Sequence, residues 1–482
     1  TVSTYYQRLF TDEGTTEADT EVLLDSIDAR LSADDCDWID REVTAPEVAA
    51  IIRTLPHCKA PGPDGFPYEL YKKLEYIFAE ILALLADFIL HGNHDQLKRR
   101  TFCEALIVLL PKKGDLTLCN NWRPISLINS DYKVIMALLT ARLGTVIGSI
   151  IGEEQNGFIP GRSIFHPILA AKAILERNRD ADTGFLLLLD LEKAYDRVNQ
   201  AYLFRIMTKF GFPSSWIGAL EALYSCSSSQ VMVNGFRTGP IELRRGVRQG
   251  CPLSPLLFAL AMEPFAAMVR KDAHLRGLRI TAELFVKILL YADDTTLLLA
   301  DRDDLAVAER LLGIFERGSG AKVNSAKSEL LPATRLPQFV EDSQFLLKPT
   351  DYEARLLGAQ VGVEQDDRTT WDRIITTMKE IIARWKPHGL SLRGKVLITK
   401  VFLLSQTTFL LHVADMPDQV AKQMDKMIAT FVWGTDKREW TCRDAIMADR
   451  QSGGLDVPSV KLWRQAIWRS TLTRLNRPGH WH

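Results

Sequence analysis

None of the seven cysteines in this 482-residue chain forms a C-x-x-C pair. That spacing marks zinc knuckles and redox dithiols, so neither is expected. The odd, scattered set suits reduced intracellular thiols better than a disulfide framework. No basic segment followed by an apolar one opens the chain, so no secretory signal is read. The first residue is not Met, which suits a fragment of a longer product. Strongly apolar runs such as EILALLADFIL look too short to span a bilayer, and no membrane partner is expected. Internal repeats and low-complexity tracts are also missing. The net charge of −1 does not advertise a nucleic-acid binder. What is left is an ordinary globular composition, 46% hydrophobic and 25% charged, sufficient for a large core and several subdomains.

The charge distribution says more than the total. Residues 1–58 carry 4 Lys or Arg against 13 Asp or Glu, a balance of −9. Residues 371–482 carry 18 against 10, a balance of +8. An acidic head and a basic tail can hide a local nucleic-acid surface inside a neutral total. Solvated helix faces are the plainer reading of the same numbers.

Along the chain, TAPEVAAIIRTLP predicts a helix capped by Thr44, with Glu47 completing a capping box. KAPGPDGFP reads as a rigid loop, and a long apolar helix is expected over 68–90. EALIVLLPKKGD predicts a strand entering a basic turn, with WRPISLI as the returning strand. GFLLLLDLEKAYDRV changes from strand to helix at Asp190. A helix around 201–224 and a strand pair around 229–244 follow, then the loop RRGVRQGCPLSP and the helix LLFALAMEPFAAMVR. KILLYADDTTLLLA predicts a buried hairpin, and from about 371 the pattern is helical. The central order predicts an α+β layer, an antiparallel sheet with helices packed on one face.

The chemistry sits where Asp is least expected. Asp293 and Asp294 interrupt an apolar hairpin, although Asp is depleted in strands and buried carboxylates are costly. An adjacent Asp pair on its own shapes exposed turns. Asp190, at another apolar strand end, changes that reading. Three convergent carboxylates are unstable alone but sensible around divalent cations.

YADD between apolar strands resembles the catalytic hairpin of reverse transcriptases. LLLDLEKAYDRV resembles their first palm motif. RRGVRQGCPLSPLLFALAMEPF resembles the next motif in the non-LTR (LINE-type) retrotransposon class. KAPGPDGFPYELYKKL, LPKKGDLTLCNNWRPISLI and NGFIPGRSIFHPI resemble that class's finger motifs, in its order. SGAKVNSAKSEL and ARLLGAQVG resemble its last palm motifs. The resemblance implies a right-hand polymerase with fingers, an antiparallel-sheet palm and a helical thumb. On that plan 1–45 is an acidic N-terminal extension or connector, 46–184 the fingers and 185–365 the palm. Residues 366–434 are then the thumb, and 435–482 a basic post-thumb segment.

The resemblance also implies roles. Asp190, Asp293 and Asp294 would be catalytic ligands of two Mg²⁺ ions, with Mn²⁺ as a substitute, and the Leu191 carbonyl would complete one shell. Asp293 is expected to be the closer ligand, since one of two neighbours at a tight turn points partly away. Tyr195 would exclude a ribose 2′-OH; a core aromatic is its plainer reading. Lys112, Lys113 and Arg123 would meet the triphosphate, unless the hairpin is simply solvated. Gln249 and Gly250 would line the nucleotide pocket, Gly250 by letting backbone approach the base. Lys327 would protonate the departing pyrophosphate, with Lys322 close enough to keep that assignment open. Arg162 would contact template or phosphate. RNA template, DNA primer and dNTPs are the implied partners, in target-primed retrotransposition. The implied location is intracellular, and nuclear at the integration site for a eukaryotic element. Leu356 departs from the Tyr often found in the last palm motif. No endonuclease and no Cys/His module is read, so a polymerase core without its nicking part is expected. The alternative reading is a catalytically inactive or domesticated RNA-binding remnant. An intron maturase or template-independent polymerase fits the finger motifs less well.

Overall fold

The computed structural model describes residues 1–92, 101–281, 283–335, 343–349, 351–434, 447–457 and 459–475. Its strands are β1 (Glu104–Pro111), β2 (Trp122–Ile128), β3 (Phe185–Leu189), β4 (Ser228–Val233), β5 (Phe236–Arg237), β6 (Ile241–Glu242), β7 (Leu278–Arg279), β8 (Phe285–Val286), β9 (Ile288–Tyr291), β10 (Asp294–Leu299), β11 (Glu329–Pro332), β12 (Leu346–Leu347), β13 (Ala354–Leu356) and β14 (Ala359–Val361). The chain divides into two units. The first holds the described residues of Thr1–Ile164 and Thr183–Leu330, with β12. The second holds Phe165–Asp182, residues 331–335 and the described residues from Lys348 on.

One sheet runs β12-β11-β3-β10-β9. The apolar run FLLLL forms β3 at its centre, where both faces are covered. Strands β10 and β3 pair antiparallel with Thr295 opposite Leu189. The same register, carried one step on, sets Asp190 across from Asp294. Thus the strand-end carboxylate and the hairpin pair meet at one end of the strands. The other sheet runs β2-β1-β4-β5, with β6 also on β4. The β1–β2 and β9–β10 hairpins are antiparallel as expected, while β4 on β1 and β12 on β11 are parallel. The helix Ser254–Lys271 is buried along most of its length and forms part of the core.

The acidic segment folds into the first unit. Helices Val2–Phe10, Glu17–Asp25 and Ala33–Asp40 place Tyr6, Leu23 and Ile39 fully out of solvent. Its carboxylates meet the chain's own cations: Glu13 with Arg197 at 2.7 Å and Arg245 at 3.1 Å, Glu17 with Arg205 at 2.9 Å, Asp25 with Lys209 at 3.1 Å. Part of the −9 balance is therefore internal pairing.

Several local expectations change. Thr44 caps the helix Ala45–Thr54 without a side-chain hydrogen bond. The Glu47 carboxylate is drawn instead to Arg142 at 2.8 Å and Arg41 at 3.0 Å. A charge-assisted bond to a buried guanidinium outweighs a local cap. The long helix over 68–90 breaks at Leu74 into Tyr68–Lys73 and Glu75–His91. That over 201–224 breaks into Gln200–Lys209 and Ser214–Ser225, because Gly211 takes a left-handed φ of 81°. The expectation of no bilayer-length run is corrected too: Ser130–Ser149 is long and apolar enough by length and composition. Its 61% burial makes it a core helix of the first unit.

In the second unit, helix Phe165–Asn178 packs on β14, and the later chain is helical: Asp367–Trp385, Leu392–Ile398, Asp418–Trp433 and Val460–Leu475. Of the expected segment 435–482, residues 435–446, 458 and 476–482 lie outside the described residues.

Candidate active site

The β9–β10 loop is only Ala292 and Asp293, since Tyr291 pairs with Asp294. Ala292 has φ 57° and Asp293 does not share its left-handed backbone, the pattern of a type II′ turn. Such a turn suits the twist of the flanking strands and fixes where Asp293 points. Asp293 lines a cavity of about 700 Å³ together with Asp190. Asp294 is not among the lining residues, so of the pair Asp293 alone lines the cavity. Burial raises the Asp293 carboxyl, and repulsion from Asp190 adds to it; Arg123 and Lys112 oppose. Asp294 is pushed up to about 6 by burial, then by Asp293 and Asp190.

The segment around Asp190 is zipped to the loop at 320–328. Asp190 N–H donates to Ser328 Oγ at 3.1 Å, and Asn324 N–H donates to the Asp190 carbonyl at 2.8 Å. Leu191 bridges Val323 in antiparallel fashion and lines the cavity. This pairing brings Lys327 Nζ to 3.9 Å from Asp190 Oδ2. Lys322 lies instead 3.9 Å from Glu192 and is not among the cavity residues. The geometry therefore separates the two lysines that sequence left open.

Tyr195 lines the cavity and stacks on Phe258, centroids 4.7 Å apart and planes 7° from parallel. Its carbonyl accepts from Val247 N–H at 2.8 Å, so ring and backbone are both held. Gln249 Nε2 donates to Asp196 Oδ1 at 3.1 Å, and the Gln249 carbonyl accepts from Ser126 N–H at 2.8 Å. Gly250 has φ 114°, and a Cβ there would lie 2.7 Å from the Ser126 carbonyl. Its glycine is thus required by packing of the loop on β2.

Lys112, Lys113 and Arg123 all line the cavity. Lys112 leaves β1 with its N–H on the Asn121 carbonyl at 2.8 Å, closing the turn base. Arg162 is not among the cavity residues. Its guanidinium donates to the carbonyls of Gln155 at 2.7 Å, Ile151 at 2.9 Å and Gly152. Those bonds give it structural partners within its own loop.

Among the cavity residues that escaped the sequence reading, Lys193, Asn324 and Asp196 stand out by their bonding. Lys193 reaches across to the Asn120 carbonyl at 3.1 Å, tying the Asp190 segment to the basic turn. Its left-handed φ of 53° leaves no mark in the sequence. Asn324 holds the Asp190 carbonyl through backbone alone. Asp196 is 4% exposed, its Oδ2 has no hydrogen-bond partner, and burial pushes its carboxyl up to about 6. Adjacency to Tyr195 was its one available signal.

The donor set fits Mg²⁺. Hard carboxylate oxygens and a nearby carbonyl are its preferred ligands. The charge of Asp190 opposes ionisation of Asp293, and both oppose that of Asp294; a divalent cation removes that penalty. Among the described residues no group of three His, Cys, Asp or Glu is gathered closely enough to hold an ion alone. Mg²⁺ characteristically takes one or two carboxylates and completes its shell with substrate phosphates.

The family described as reverse transcriptase (RNA-dependent DNA polymerase) matches residues 110–361, just over half of the chain. The chain belongs to the reverse transcriptase family. It is 29% identical over 467 residues to the "Transposon TX1 uncharacterized 149 kDa protein" of Xenopus laevis, covering 95% of this chain and 35% of that protein. It is 25% identical to the "Retrovirus-related Pol polyprotein from type-1 retrotransposable element R2" of Popillia japonica, covering 76% of this chain and 52% of that protein. It is 27% identical to the "RNA-directed DNA polymerase from mobile element jockey" of Drosophila melanogaster, covering 56% of this chain and 29% of that protein. These likenesses agree with the non-LTR, LINE-type resemblance carried by the motifs. The chain spans about a third to a half of these relatives. The polymerase fold that the family implies agrees with the mixed α/β architecture.

Proposed function

We propose that the chain is an RNA-directed DNA polymerase that extends a primer 3′-OH with dNTPs on an RNA template, in target-primed retrotransposition. The observation that carries this reading is the single cavity joining Asp190, Asp293, Tyr195, Gln249 and the Lys112–Arg123 cations. The sheet that bears β9–β10 is then the palm, the β1–β2 hairpin belongs to the fingers, and the helices from Asp367 on form the thumb. Asp190, Asp293 and Asp294, with the Leu191 carbonyl, would hold two Mg²⁺ ions. Bound there, the ions activate the attacking hydroxyl and stabilise the leaving oxygen.

The chain's own residues then position and neutralise. Lys112, Lys113 and Arg123 bind the triphosphate, with Arg as a planar fork and Lys as point charges. Tyr195, braced on Phe258, lies under the sugar and rejects a 2′-OH by contact. Gln249 is oriented by Asp196 to meet the nucleotide. Lys327, beside Asp190, donates the proton that departing pyrophosphate takes up. Little covalent work falls to side chains; orientation and charge dominate.

Primer extension on an RNA template with dNTPs and Mg²⁺ is the test. Duplex binding without extension would support the RNA-binding remnant instead. Tyr195→Ala should raise the use of ribonucleotides relative to deoxynucleotides about 100-fold, and Tyr195→Phe should not. An unchanged ratio in Tyr195→Ala removes the gate assignment.

A further inference from the structure

The turn that carries Asp293 is gripped from behind. Ala292 sits in the left-handed region, which an L residue keeps only where its surroundings over-determine it. Gln155 supplies that constraint. Gln155 is 1% exposed, and two of its three side-chain hydrogen bonds go to this turn. Oε1 accepts from Ala292 N–H at 2.8 Å and from Gly157 N–H at 2.9 Å. Nε2 donates to the Ala292 carbonyl at 3.3 Å. Both backbone groups of the strained residue therefore end on one amide.

The chain around Gln155 is itself fastened to β9. Leu290 N–H donates to the Glu154 carbonyl at 3.0 Å, and Asn156 N–H donates to the Leu290 carbonyl at 2.8 Å. Gly157 passes so close that a Cβ there would lie 2.2 Å from Ala292 N. Arg162 closes the loop by donating to the Gln155 carbonyl at 2.7 Å. All of these residues belong to the first unit.

We propose that Gln155 is a positioning residue for nucleotide addition: its amide holds Ala292 left-handed and thereby aims the Asp293 carboxylate into the cavity. Arg162 supports it by fixing the loop that presents Gln155. This inference rests on the polymerase reading given above. Without the amide, Ala292 relaxes and Asp293 swings out of register with Asp190. Lys112, Arg123 and Tyr195 stay where they are, so nucleotide binding survives while the chemical step fails.

The test uses the full chain. Gln155→Met keeps side-chain length and volume and removes all three bonds. Its kcat for primer extension should fall about 100-fold, the cost of misplacing a reacting group by roughly 1 Å. The KM for dNTP and the affinity for an RNA–DNA duplex should stay within about threefold, because uniform binding is untouched. Adding Ala292→Gly to that variant should recover about tenfold in kcat, since glycine takes the left-handed turn without help. Hydrogen exchange supplies a readout independent of activity: the Ala292 amide should exchange faster in Gln155→Met, with β3 unchanged. A kcat within about threefold of the parent overturns the proposal. So does unchanged exchange at the turn. A joint loss of kcat and duplex affinity that Ala292→Gly does not relieve also overturns it, by making Gln155 merely structural. If the unsubstituted chain extends no primer, the polymerase reading fails, and the exchange comparison alone decides whether the grip exists.

Discussion

The β9–β10 turn has two residues, and the β1–β2 turn runs from 112 to 121. The first has buried strands on either side and a left-handed residue at its tip. The second is almost wholly exposed and held mainly by its own bonds. Asp115 Oδ1 accepts from Thr117 N–H at 2.9 Å and from Thr117 Oγ1 at 2.7 Å, and Asn121 Nδ2 donates to the Asp115 carbonyl at 2.8 Å. One turn carries a carboxylate, Asp293, and the other carries the cations Lys112 and Lys113, and all three line one cavity. On the proposed reading the carboxylates are ligands for small ions, which need positions fixed to a fraction of an ångström, and a short turn between buried strands suits that. The cations, proposed to meet a large, flexible triphosphate, would tolerate a longer arm, because charge attraction falls off slowly with distance.

That contrast can be broken at four points. Asp293→Asn should cost about 1,000-fold in primer extension while duplex binding persists, since it removes charge where the reaction concentrates it. Steady-state extension beside a binding titration measures both. Gly157→Ala pushes a Cβ to 2.2 Å from Ala292 N, a clash with backbone that no rotamer relieves. Extension should fall about 100-fold, and overpacking should lower stability by about 1–3 kcal/mol in a thermal melt. Lys112→Ala should raise the KM for dNTP about tenfold with little change in kcat, and the gap should narrow in high salt. Asp115→Ala only loosens an exposed turn, so kcat/KM should move less than about threefold. Equal effects of Lys112→Ala on kcat and KM would mean that the long arm is as tightly set as the short turn.

The residues proposed as catalytic were legible because they break local rules. Asp190, Asp293 and Asp294 interrupt apolar strands, and Lys112 and Lys113 sit at a strand end beside a Gly turn. Short apolar runs on either side of polar turns also predicted both hairpins. The supports were not legible. Gln155 lies 137 residues from Ala292 in a loop without periodicity, and an amide there has no sequence signature. Arg142 overrode the expected Thr44–Glu47 cap from 95 residues away. Composition showed an acidic head but could not name Arg197, Arg205 and Arg245 as its partners. Local pattern reports what a residue prefers, and only the fold reports what reaches it.

The buried N-terminal helices also bear on how the enzyme can be dissected. The family match begins at residue 110, yet Trp216, inside that stretch, donates its indole N–H to the Ile39 carbonyl at 3.0 Å. Tyr6, Leu23 and Ile39 belong to the same apolar cluster as the strands that bear the site. A fragment trimmed to 110–361 would open that cluster to water and strip Arg197, Arg205 and Arg245 of their carboxylates. Cutting points for expression or limited proteolysis are therefore set by burial, upstream of the first residue, in sequence, that does chemistry.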